Sequence, residues 1–187
     1  AETDVHSRAL AAGLRALEEA DDFVPTGGAV EAELDLRRMV VAHRTPVLQD
    51  VDLPRMTALA ALQHYYGYAQ QQLARACGRQ PAGSLALHGL GRLHTTKQNA
   101  SDADTKLSQP KAMTFHHAAL AVDPRNYMAA NELGVILERM HASTGEDRMV
   151  LRADENAAHG AVVELIDTIK QSGFTRVSLS ARTPGGG

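Results

Sequence analysis

Two prolines frame this chain. Pro81 and Pro124 stand forty-three residues apart, and the residues around them match in register. A Leu-Gly pair follows each, with Gly91 and Gly134 both ten residues downstream. Each proline is also preceded by alanines at five and twelve residues, Ala76 and Ala69 in one register and Ala119 and Ala112 in the other. Self-similarity at a fixed period marks a stack of like units, because a single unit cannot bury its apolar face alone. Small side chains at the recurring positions let helix backbones approach closely. The chain is therefore constrained, before anything else, to packed helical hairpins.

The helical windows follow from apolar periodicity and its breakers. Val5 to Asp22 carries Leu10, Leu14 and Leu17 at helical spacing, and Pro25 to Gly28 stops it. Ala29 to His43 is expected as a second helix with Leu34, Met39 and Val41 inward, closed by Thr45-Pro46. A third opens at Leu53-Pro54 and runs to Ala76, with Leu59, Leu62, Tyr66, Ala69, Leu73 and Ala76 on one face. A fourth spans about Gly83 to Lys97, a fifth Pro110 to Val122 and a sixth Asn126 to His141, with the polar run Asn99 to Lys106 read as a turn. Aromatic residues make up 4% of the chain and Trp is absent, so the core is expected to rest on Ala, Leu, Val and Met.

The landmarks Leu90-Gly91, Ala112, Ala119 and Pro124, with their counterparts Leu133-Gly134, Ala69, Ala76 and Pro81, resemble the tetratricopeptide repeat over about residues 53–141. The usual period is about 34 residues, and the polar run Asn99 to Lys106 takes up most of the excess. His94 stands where that family usually has an aromatic residue, and His116 where a bulky apolar one is usual. The resemblance implies antiparallel hairpins in an α-solenoid whose first helices line a groove. Counted from the Leu-Gly pairs, the groove positions are Leu85, His88, Arg92 and Thr95, then Met128, Asn131, Glu132 and Val135. His88, Arg92 and Asn131 are suited to a peptide's carboxylate or backbone.

After His141 the pattern changes. Met149-Val150-Leu151 is a short apolar run, Gly160 to Ser172 is amphipathic through Val162, Val163, Leu165, Ile166 and Ile169, and Val177 to Ser180 alternates. This reads as strand, helix, strand, with Gly173 as the helix cap. Two strands and one helix bury little and leave edges open, so self-association is expected through Val150, Leu151, Val177 and Leu179. The pieces Leu151-Arg152-Ala153-Asp154, His159-Gly160, Val162-Val163, Asp167, Lys170, Gly173-Phe174 and Val177-Ser178-Leu179 resemble the last third of the ExbD/TolR family, periplasmic partners of proton-driven envelope motors. The resemblance implies dimerisation through the strands. The family's proton-carrying membrane helix has no counterpart in these residues, which implies docking and not proton coupling within them.

The expected organisation is mainly α: a helical repeat domain over 1–145, a β-α-β segment over 146–184 and a disordered tail over 185–187. A net charge of −3 offers no basic excess for nucleic acid. The apolar runs are far shorter than the roughly 18–20 residues of a membrane span, and no signal peptide is expected at the start. The nine histidines fall into no ligand spacing: His116 and His117 are adjacent, and His88 and His94 lie on different helix faces. With no catalytic motif, no metal site and no cofactor expected, the leading expectation is a non-enzymatic scaffold whose groove takes a protein or peptide. The alternative is a component of an ExbD/TolR-type envelope assembly. That reading places the chain on the periplasmic side of the envelope, with the cytoplasm as alternative, since the single Cys77 favours neither compartment.

Overall fold

The structure is a computed structural model that describes residues 2–24, 44–49, 56–77, 82–100, 105–154 and 159–182. The described chain is mainly helical with one small sheet. Five helices come first: α1 (Glu2–Ala20), α2 (Ala58–Ala76), α3 (Ala82–Ala100), α4 (Thr105–Val122) and α5 (Tyr127–Thr144). Then come β1 (Arg148–Asp154), α6 (His159–Gln171) and β2 (Arg176–Arg182), the strands pairing in parallel with Leu151 opposite Leu179. The expected second helix, with Leu34, Met39 and Val41, lies outside the described residues, as does the tail beyond residue 182.

Helix α1 lies against α2, and α3 pairs with α4 more extensively than any other two elements. The main core joins Leu17 and Ala20 of α1 to Leu62, Tyr65, Tyr66, Ala69 and Leu73 of α2 and Leu93 of α3. Its largest fully buried side chains are Tyr65, Tyr66 and Phe23, so the few aromatics carry more of the interior than composition suggests. Phe23 and Tyr65 meet with ring centroids 5.0 Å apart. Cys77 is half-buried beside this core, and burial pushes its thiol pKa up.

All four alanines of the sequence repeat, Ala69, Ala76, Ala112 and Ala119, are completely buried. The expected turn at Asn99 to Lys106 is shorter than its polarity suggests. Helix α3 runs on to Ala100 and α4 begins at Thr105, carrying Pro110 inside it. Pro110 forfeits one backbone bond to the carbonyl of residue 106, and the helix continues on both sides of it.

The start of α5 is tied to its neighbours by a buried polar cluster. Asn126 caps the helix, its Oδ1 accepting from the Ala129 amide at 3.1 Å. Its Nδ2 donates to Ser84 Oγ at 2.9 Å, and Ser84 Oγ donates to the Ala119 carbonyl at 2.8 Å. Two side chains, Asn126 and Ser84, thus join the beginnings of α3 and α5 to the end of α4. Asn126→Ala should cost about 1–3 kcal/mol, since it removes a cap and leaves Ser84 short of a partner. Asn126→Ser, which keeps the cap, should cost less. Equal urea midpoints for wild type and Asn126→Ala would show that the cluster holds nothing.

A second core forms where α5 meets the β-α-β unit. Leu133 and Leu137 of α5 pack with Ile169 of α6 and Phe174, flanked by Met113, Leu165, Met149 and Val177. This core spans both sides of residue 146. Gly145 ends α5 in the left-handed region (φ 63°), its amide donating to the His141 carbonyl at 2.9 Å. Gly173, the expected cap of α6, has φ 104°. The His141 ring lies against it and meets Phe174 edge-on at 5.1 Å.

Candidate functional site

The eight groove positions do not form one open face. On α3, Leu85 is 37% exposed, while Arg92 and Thr95 are half-buried. On α5, Met128 and Asn131 are exposed, and Glu132 and Val135 are half-buried. His88 departs from the expectation: it is 5% exposed and turned into the α3–α4 interface. The stripe 85–88–92–95 winds from solvent towards α4, and the close pairing of those helices covers its middle.

His88 meets His116 of α4 there, with ring centroids 5.3 Å apart. His116 has no exposed surface, and its ring fills the space that a Cβ on Gly91 would occupy. Neither ring nitrogen of His116, nor Nδ1 of His88, has a hydrogen-bond partner. Burial, with the Arg92 guanidinium beside His88 and with His88 and Arg92 beside His116, pushes both pKa values down to about 4. Both imidazoles are therefore neutral packing groups at pH 7. Next to them His94 stacks flat on Phe115, with centroids 5.5 Å apart and planes 5° from parallel. An imidazole here fills an aromatic position.

The sheet presents two different faces. Met149, Leu151, Val177 and Leu179 share one, which enters the second core at Met149 and Val177 and opens to solvent at Leu179, 57% exposed. Val150, 52% exposed, lies on the other face. The strands pair as the alternation predicts, and among the described residues no third strand joins them. On α6, Val162, Leu165, Ile166 and Ile169 are at least half-buried, but Val163 is 42% exposed, one residue off the apolar stripe.

Sequence reasoning misses a cleft of about 280 Å³ between the end of α4, the start of α5 and α6. Leu120, Pro124 and Leu165 give it an apolar lining, with Glu164 and Asp167 beside them. Both carboxylates are exposed residues of α6, and neither makes an ion pair among the described residues. His117 also lines the cleft; its Nε2 is buried without a partner, and burial lowers its pKa. The one signal in the sequence is the i, i+3 pair of acids beside the apolar stripe of α6, which periodicity alone reads as a solvated face.

Among the described residues no three or more His, Cys, Asp or Glu side chains gather to hold a metal. No helix among them is long and apolar enough to cross a membrane. Among the described residues the structure offers surface: a two-stranded sheet with no third strand, a broken helical face and an acid-rimmed cleft. Residues 95–183 match the family model of the biopolymer transport protein ExbD/TolR. The ExbD/TolR match takes in the end of α3, all of α4 and α5 and the whole β-α-β unit. It thus begins far upstream of Met149, within the helices that carry the repeat landmarks. No curated protein and no solved structure matches the chain.

Proposed function

We propose that this chain is a non-enzymatic component of an ExbD/TolR-type assembly of the cell envelope, acting in transport or energy transduction through protein contacts on the periplasmic side. The observation that carries the reading is the ExbD/TolR match over 95–183, which falls on a continuous packed unit. The parallel strands support a contact role, because among the described residues each has a free edge and Val150 and Leu179 stay exposed. Homodimerisation through Val150, Leu151, Val177 and Leu179 is part of the proposal.

Val150→Lys with Leu179→Lys puts charge on the exposed strand positions without entering the second core. Light scattering should give a dimer mass for the wild type and a monomer mass for the double variant. A wild type that is already monomeric at high concentration would remove the self-association part. Cell fractionation tests the rest: recovery of the full-length protein wholly from the cytosol would remove the envelope assignment.

A second reading, a tetratricopeptide-like scaffold whose groove takes a peptide, draws support from the burial of Ala69, Ala76, Ala112 and Ala119 and from the close seat of Gly91 against His116. Its surface would comprise Leu85, Arg92, Thr95, Met128, Asn131, Glu132 and Val135, without His88.

A further inference from the structure

We infer that the cleft between α4, α5 and α6 is a docking site for a short basic segment of a partner protein, one carrying an arginine beside aliphatic residues. The cleft lies within the family-matched residues, but the inference rests on its chemistry alone.

The lining from Leu120, Pro124 and Leu165 is apolar, and Glu164 and Asp167 bring to it two carboxylates that make no ion pair among the described residues. A docking surface of this kind selects an amphipathic side chain: an aliphatic stem to lie on the apolar wall and a cationic head to reach the acids. Arginine suits it better than lysine, because its planar fork can donate to two acceptors at once. Two cations adjoin the cleft lining in sequence: Arg125, which already pairs with Asp123 at 3.6 Å, and Lys170, which makes no ion pair with Glu164 or Asp167 among the described residues. Both acids thus remain open to a cation carried by a partner.

His117 adds a neutral ring to the wall: burial lowers its pKa, so it does not repel an incoming cation. The helix ends that flank the turn beside the cleft also carry exposed apolar side chains, Val122 at 40% and Tyr127 at 80%, available to aliphatic neighbours of the arginine.

The test uses the full chain and fluorescent five-residue peptides, Leu-Arg-Leu-Arg-Leu and Leu-Gln-Leu-Gln-Leu, followed by anisotropy. The arginine peptide should bind, and the glutamine peptide should bind about tenfold more weakly or worse. Glu164→Gln with Asp167→Asn should weaken the arginine peptide by about tenfold, and raised salt should weaken it as well. Glu138→Gln, an exposed acid elsewhere on α5, should leave it unchanged. The proposal falls if both peptides bind alike, if the double variant binds as the wild type does, or if nothing binds at millimolar peptide. It falls too if spermine competes as well as the arginine peptide, since the site would then answer to charge alone.

Discussion

Acidification from pH 7 to pH 4 should destabilise this protein by on the order of 3 kcal/mol for each of two histidines, His88 and His116. Both are buried, and both titrate near 4 in place of the ordinary 6.5. Above pH 6.5 the imidazoles are neutral folded and unfolded alike, and they add no pH dependence. Between 6.5 and 4 the unfolded chain takes up protons that the folded chain refuses, so stability falls as pH falls. Below 4 the folded chain accepts them too, and the slope from this source ends. The charged group facing both rings is Arg92, which opposes protonation, and the two rings oppose each other. Urea unfolding at half-unit pH steps measures the slope. The variant His88→Leu/His116→Leu should lose the component between 6.5 and 4. It should also be no less stable at pH 7, because unpartnered polar groups are replaced by apolar ones of similar size. A double variant with the wild-type slope would place the acid sensitivity elsewhere.

The second large effect separates two glycines that the sequence treats as equivalents. Gly91→Ala should cost about 1–3 kcal/mol, because the new Cβ would overlap the His116 ring, which is hemmed in by His88. Gly134→Ala meets nothing within 4 Å and sits inside α5. It should therefore stabilise by about 0.5–1 kcal/mol, the ordinary preference of alanine over glycine within a helix. Thermal unfolding of the two variants should move in opposite directions. Shifts of the same sign would mean that the α3–α4 contact is looser than described, or that α5 has a neighbour at Gly134.

The contrast shows what periodicity can and cannot tell. The β-α-β unit is legible almost whole: alternation finds both strands, the 3.6-residue stripe finds α6, and Gly173 marks its cap. The alanine landmarks are legible as contact positions and are buried. Which surface each contact meets is not legible. Periodicity assigns residues to faces of their own helix, while His88 against His116 and His94 against Phe115 are decided by how two helices pair. For the same reason His88 reads as a groove residue in the sequence, although the pairing of α3 with α4 encloses it. The cleft escapes notice because its walls come from three helices. The turn at Asn99 to Lys106 is overdrawn because polar composition marks a segment that can be wet, and helix ends can be as polar as turns. A matching Leu-Gly pair raises the expectation of a close neighbour at Gly134, yet the next element after α5 is a strand, and α6 packs on Leu133 and Leu137 instead.

The parallel pairing of β1 with β2 also orders events in time. Arg148 meets Arg176 and Asp154 meets Arg182, so no part of β1 can find its partner until the whole of α6 has been passed. An antiparallel hairpin would close locally within a few residues, whereas a parallel pair must first close a long loop. The apolar face of α5 shares that delay, since Leu133 and Leu137 are covered by Ile169 and Phe174. Contacts among α1, α2, α3 and α4 connect elements already synthesised by then. Synthesis therefore passes through a stage in which the early helices are assembled while the side of Leu133 and Leu137 that Ile169 and Phe174 cover, and the whole of β1, stand open. That interval is when this chain is most open to a chaperone, a protease or a premature encounter with its own kind.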